Sequence, residues 1–312
     1  MTDLSAASPL RISDLAGDPR RVRREALMRL LFRGAAYFSL VVSAAIVLSL
    51  AFDAVDFLLK EPLGNLWGTE WTPRLGRYDV KTIVVGSILV TAVAMVIAAP
   101  LGMGAAIYLS EYASPRVRRI LKPMLEILAG IPSVVLGFFA ISWIAPNLVS
   151  RFFNPSNDAN LMVAGIGVGV LVIPLVASIA EDAMRSVPQA LREASYGMGA
   201  TKVTTVTKVV LPAAVSGLAA AFIIAVSRAI GETMVVALAA GAVDNAVFTA
   251  DPLDTGFTMT AAMASIATGT DNVKGAANTV QSLYFVGLLL FLITLTLNLA
   301  ADRFVRRFRE VY

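Results

Sequence analysis

The chain has 312 residues, 57% of them apolar and only 15% charged, with a formal net charge of +4. Soluble domains carry about 25% charged residues, so this surplus of apolar surface calls for lipid as its solvent. With no cysteine and no histidine, disulfides, thiol chemistry and Cys/His metal sites are excluded, and proton chemistry near neutral pH would need a strongly shifted carboxylate or lysine. Catalysis by this chain alone is therefore not expected, and neither is a cofactor or a metal. The basic residues cluster at span ends and form no groove interleaved with aromatics, so no nucleic-acid partner is expected either.

In chain order, a polar arm of residues 1–33 comes first, with Pro9, Gly17 and Pro19, and leads through a basic helix into the membrane. Its length disfavours a cleaved signal peptide, and the first apolar run reads as a retained span. Six apolar segments follow, at roughly 34–52, 82–109, 121–148, 160–180, 213–242 and 281–301, each near or above the roughly 20 residues that cross a hydrocarbon core. The fold class is thus an all-α polytopic membrane protein of six transmembrane helices, spanning residues 34–303, with a tail over 304–312. Pro100, Pro132, Pro174 and Pro212 lie inside or near the start of spans, where neighbouring helices or water must satisfy the freed backbone groups. Gly165, Gly167 and Gly169 suit close helix approach.

Lysine and arginine counts orient the bundle. The arm (Arg11, Arg20, Arg21, Arg23, Arg24, Arg29, Arg33), the second loop (Arg116, Arg118, Arg119, Lys122), the fourth loop (Arg185, Arg192, Lys202, Lys208) and the tail (Arg303, Arg306, Arg307, Arg309) hold nineteen. The alternate loops hold six: Lys60, Arg74, Arg77, Lys81, Arg151 and Lys274. Both termini are expected in the cytoplasm.

Four charged features remain along the chain. Glu126 reads as an anion in the first turns of span three, where the helix dipole favours it. Glu181 and Asp182 end span four, and Arg185 is spaced to pair with Glu181. The loop 181–212 reads as a cytoplasmic helix–turn–helix: Pro188 suits a first turn, Gly199 a left-handed C-cap and Pro212 the start of the next span. Such a stiff knob suits docking into a groove on another protein.

The fourth feature is Arg228 with Glu232, four apart within span five. Each charge costs roughly 2.5–3.5 kcal/mol at mid-bilayer on insertion scales, so both must face the bundle interior or a wet cavity. Either they form an ion pair that merely locks a helix, or Arg228 attracts an oxyanion while Glu232 holds the guanidinium and tempers its grip. Beyond them, the outer loop 243–280 is acidic (Asp244, Asp251, Asp254, Asp271 against Lys274), and residues 257–268 suit a short helix at the outer surface that touches a soluble partner.

Glu193-Ala194-Ser195, then Gly199, then Val209, Leu211 and Pro212 keep every spacing of the permease motif of binding-protein-dependent ABC importers, with Ser195 in place of alanine and Val209 in place of isoleucine. The chain resembles that family, which implies a type I ABC-importer permease fold in which 181–212 is the coupling-helix loop that enters an ATPase subunit. The absence of any Gly-Lys dipeptide excludes the Gly-rich phosphate loop from this chain, so two partner ATPase subunits are implied. The strings 109–112, 129–137 and 228–233 (Leu109-Ser110-Glu111-Tyr112, Ala129 to Gly137, Arg228 to Thr233) resemble the phosphate importer permeases over about residues 25–308. The outer loop with Trp67, Trp71 and Pro73 is closer to the PstC-type subunit than to the PstA-type one. That resemblance implies inorganic phosphate as substrate, a PstA-type second permease and a phosphate-binding protein as partners, and a pathway role for Arg228 and Glu232. A sulfate or molybdate permease is the alternative, and an ATPase-independent channel or carrier a more distant one.

Overall fold

A computed structural model describes residues 19–241, 246–269 and 278–307. The start of the arm with Arg11, the loop residues Asp244, Asp271 and Lys274, and Arg309 lie outside the described residues. Helix α1 runs Pro19–Lys60, 42 residues without a break, or about 63 Å, roughly twice the hydrocarbon thickness. Its residues to Leu50 belong to one compact unit and everything from Ala51 onward to another. Within the first unit nearly every side chain is exposed, including Phe32, Phe38 and Leu40, as suits a helix solvated by lipid.

The second unit opens at its outer end with a small antiparallel sheet of order β2-β1-β3, formed by Glu70–Thr72 (β1), Arg77–Tyr78 (β2) and Ala246–Val247 (β3). Trp71 pairs with Tyr78 across β1 and β2, and both are fully buried with Phe57. Phe57 meets Tyr78 edge-on at 5.1 Å and stacks on Phe285 at 5.2 Å. Offset and edge-to-face ring contacts of this kind stiffen an apolar cap.

The core is the seam between α2 (Val80–Ile107) and α5 (Leu161–Arg185). Small residues let the two backbones approach. A Cβ on Gly102 would lie 2.6 Å from Val176, and one on Gly165 would lie 2.6 Å from Val93. Gly167 faces the other way, toward Val235 and Ala140. Both helices contain a proline: Pro174 is buried in the packed bundle, where neighbouring groups can satisfy the freed backbone, and Pro100 is exposed.

Two of the six expected spans differ from their sequence reading. Span three does not begin at 121: α3 (Pro115–Ala129) is a separate amphipathic helix with no buried residue, and the chain turns at Gly130-Ile131-Pro132 before α4 starts at Ser133. Pro132 disfavours helical geometry at Ile131, and α4 then runs through a widened π-helical stretch to Phe152. Glu126 consequently sits in the last turn of α3, the unfavourable end for an anion, and is exposed. Span five is not one helix either. It runs as α7 (from Lys202, widened over Val206–Val210, to Ala213), a 72° bend, then α8 (Val215–Ile230), a break at 231–233, and α9 (Met234–Ala239). Among the described residues, five helices are long and apolar enough to cross a membrane, and this bent pair makes a sixth. The last is α11 (Thr279–Arg307).

The outer segment also departs from expectation. Helix α10 (Met259–Thr268) does not lie on the surface: Met259, Thr260, Ala261, Ala262 and Ile266 are buried. Gly86 on α2 makes the approach possible, since a Cβ there would fall 2.1 Å from the Phe257 carbonyl oxygen.

Candidate functional site

The break in span five shapes the candidate intramembrane site. A helix that stops at Ile230 and restarts at Met234 leaves the first N–H groups of α9 without intrahelical partners. Glu232 supplies them: its Oε1 accepts from Met234 N at 3.2 Å and from Val235 N at 3.4 Å. Its Oε2 accepts from Arg228 Nη1 at 2.5 Å, and its own carbonyl oxygen accepts from the Thr260 hydroxyl at 2.6 Å. The carboxylate is thus fixed from both sides and is only 3% exposed, whereas the Arg228 side chain is 46% exposed. An anion at a helix N-terminus is also favoured by the dipole. The expected four-residue spacing holds, but the two groups do not share one continuous helix face; Glu232 stands in the gap. A guanidinium anchored at one nitrogen keeps further donors in a planar fork, the shape that matches a tetrahedral oxyanion.

At the cytoplasmic end, α6 (Gln189–Gly197) forms the knob. Pro188 precedes its first residue, and Gly199 at φ +80° closes it. Gly199 N donates to Tyr196 O at 2.9 Å and Ala200 N to Ser195 O at 3.1 Å, the paired bonds of a Schellman C-cap, which require a left-handed residue. Glu193, Ala194 and Gly199 are exposed on the knob, Leu211 is half-buried where α7 leaves it, and Pro212 is exposed. Ser195 Oγ lies 2.9 Å from Thr205 Oγ1, so the residue that departs from the motif ties α6 to α7.

Residues 98–310 match the protein family described as the binding-protein-dependent transport system inner membrane component. The chain belongs to that family. It is a multi-pass inner-membrane permease, a transport component and not an enzyme, of a kind that works with ATPase subunits and a substrate-binding protein. A probable ABC transporter permease, YqgH of Bacillus subtilis, is 34% identical over 74% of this chain and 76% of its own length. The phosphate transport system permease protein PstC of Pasteurella multocida is 31% identical over 86% and 88%, and PstC 1 of Mycobacterium tuberculosis 32% over 74% and 73%. Among solved structures, a bacterial alginate ABC transporter matches 94% of this permease and 98% of its own chain with a TM-score of 0.65 at 13% identity. The inward-facing MetNI methionine transporter matches 80% and 100% with a TM-score of 0.53 at 21% identity. These two likenesses establish the permease fold alone.

Three features of this permease are absent from its sequence pattern or differ from the pairing expected there. Arg192, one residue before the exposed Glu193, is buried and bonds to Glu111 across 81 positions of sequence. Glu181 does not pair with Arg185. It accepts from Arg118 Nε at 2.5 Å and lies 3.2 Å from Lys122, which donates to Asp182 at 2.9 Å. The Asp182 carboxylate, with Glu181 beside it, holds the Lys122 ammonium above its ordinary pKa despite partial burial. Thr260 is the third, and only its place in a buried helix links it to the site. No local spacing signals pairs this distant, although Glu111 and Glu193 both lie in the strings that carry the family resemblance.

Proposed function

We propose that this permease conducts inorganic phosphate from the periplasm to the cytoplasm as the PstC-type half of an ATP-driven importer. A PstA-type permease completes the pathway, two ATPase subunits bind the cytoplasmic knobs, and a phosphate-binding protein delivers substrate to the outer face. The observation that carries the substrate reading is the half-exposed Arg228 fork, fixed at one nitrogen by a buried Glu232. Support also comes from the relatives named as phosphate permeases, 28–32% identical to this chain.

In this reading Arg228 meets phosphate on its way through the bundle. The Arg228–Glu232 pair is close to neutral, so it offers directional donors without a full unit of trapping charge. Weak capture is what conduction needs. Glu232 keeps the arginine aimed while its backbone bonds keep Glu232 in place. Glu193, Ala194 and Gly199 present the surface on which an ATPase subunit bears, and Leu211 and Pro212 carry that push into the bent span. Closure of the ATPase pair on ATP shifts the knobs and opens the cavity outward.

The test is ATP-dependent uptake of radiolabelled phosphate by the whole importer in proteoliposomes. Arg228→Gln is expected to lower uptake by about two orders of magnitude or more, the scale of lost charge-assisted bonds to an anion, while the ATPase subunits still copurify. Normal uptake by that variant would remove Arg228 from the pathway. Uptake of sulfate or molybdate in place of phosphate would reassign the substrate.

A further inference from the structure

Helix α6 has two faces. Gln189, Ala190, Glu193 and Ala194 are exposed, whereas Leu191 and Ser195 are partly buried and Arg192 is buried. An arginine on the inner face is costly unless its donors are met, and here three of the five N–H groups are. Nη1 donates to Val187 O at 2.7 Å, and Nη2 donates to Met184 O at 2.9 Å and to Glu111 Oε1 at 2.9 Å. Met184 lies in the last turn of α5 and Val187 two residues beyond its end, where carbonyls lack intrahelical partners and the dipole favours a cation. Glu111 lies in the π-helical turn Tyr108–Tyr112 that ends α2, and Ser110 Oγ donates to it at 2.9 Å. One guanidinium therefore joins the coupling helix to the ends of both helices that form the core seam.

We propose that Arg192 is the positioning residue that makes α6 and the cytoplasmic ends of α2 and α5 move as one body. An apolar side chain at this position would hold α6 by contact area, which permits sliding and rolling. A planar fork bonded to two carbonyls and a carboxylate fixes both direction and distance. A displacement of α6 thus reaches the α2–α5 seam and, through it, the intramembrane site. Gly167 of α5 packs on Val235, whose N–H is held by Glu232. Ser87 of α2 accepts from Met259 N, next to the Thr260 that bonds to the Glu232 carbonyl. This inference rests on α6 being the surface that an ATPase subunit engages.

The experiment measures phosphate uptake and ATP hydrolysis in the same proteoliposomes carrying the complete importer. Arg192→Gln is expected to keep its ATPase subunits and its hydrolysis while uptake per ATP falls roughly tenfold or more, the range of an ordinary coupling energy. Arg192→Lys, which keeps the charge but not the fork, should recover part of that ratio. Glu111→Gln should lower it in the same direction by less, and the double variant should be no worse than Arg192→Gln alone. Unchanged uptake per ATP in the Arg192→Gln and Glu111→Gln variants would overturn the inference. If Arg192→Gln does not assemble, unchanged ratios in Arg192→Lys and Glu111→Gln together do the same. If the wild-type chain itself fails to retain ATPase subunits, the docking reading falls and the inference with it, an outcome distinct from a coupled complex that is indifferent to Arg192.

Discussion

Two arginine–glutamate pairs sit at opposite levels of the bundle, and their burial separates their work. In the Arg192–Glu111 pair the side chains are 10% and 5% exposed, and the guanidinium also bonds to two carbonyls. In the Arg228–Glu232 pair they are 46% and 3% exposed, and all the fixed geometry belongs to the glutamate. A guanidinium held from several sides is a bolt; one held at a single nitrogen is available to a ligand. The same two residue types thus yield a structural joint at the cytoplasmic end and a candidate anion site at the helix break.

The sharpest way to break this comparison is to make one substitution at both places. Lysine keeps the charge and discards the fork. At position 228 that loss falls on the substrate, and Arg228→Lys should lower phosphate uptake about 10- to 100-fold, in line with one or two charge-assisted bonds of roughly 1.5–3 kcal/mol each. At position 192 the loss falls on an internal joint, and Arg192→Lys should cost only a several-fold drop in uptake per ATP. Parallel uptake assays on the two variants decide the matter. Equal losses, or a larger loss at 192, would mean that exposure does not mark the functional arginine.

Glu232→Gln comes next. A glutamine can still cap α9 through its amide oxygen, but it cannot balance the guanidinium, and an unpaired arginine grips an anion more tightly. Uptake should slow about tenfold, with the complex intact and its melting temperature lowered, because a charge-assisted bond of roughly 1.5–3 kcal/mol is lost. Wild-type turnover in a Glu232→Gln importer would show that tempering the arginine has no part in conduction.

What the sequence shows of this fold follows from what is local. Apolar runs of twenty or more residues mark the spans, and the lysine and arginine asymmetry orients them without any knowledge of packing. Pro188, Gly199 and Pro212 mark the knob because turn and cap chemistry acts within a few residues. The errors have the same root. Leu121, Leu125 and Leu128 read as the start of a span, yet they form one stripe of the amphipathic α3, and Gly130-Ile131-Pro132 ends it. The break after Ile230 is invisible in an apolar stretch, because it is stabilised by a glutamate that looks like an ordinary i,i+4 partner. The joint between Arg192 and Glu111 spans 81 positions, and Arg118 meets Glu181 across 63. Spacing carries no trace of either. Arg228 and Glu232 stand out in the sequence because a charge in hydrocarbon is conspicuous anywhere; Arg192 does not, because a cytoplasmic arginine is ordinary.

The smallest effect concerns the support of the site. Thr260 donates to the Glu232 carbonyl at 2.6 Å and lies 3.0 Å from the Thr258 hydroxyl, so α10 is stitched to the helix break. Thr260→Val keeps the shape and removes the hydroxyl, leaving a buried carbonyl short of one partner, at a cost on the order of 1 kcal/mol. The expected result is a small drop in melting temperature and a loss of uptake of about fivefold or less, well below that of Arg228→Lys. A helix resting on the outer surface would feel nothing from this change. Thr260→Val with unaltered melting and uptake would therefore detach α10 from the site, and the anchoring of Glu232 would then rest on its two bonds to α9 and its bond to Arg228.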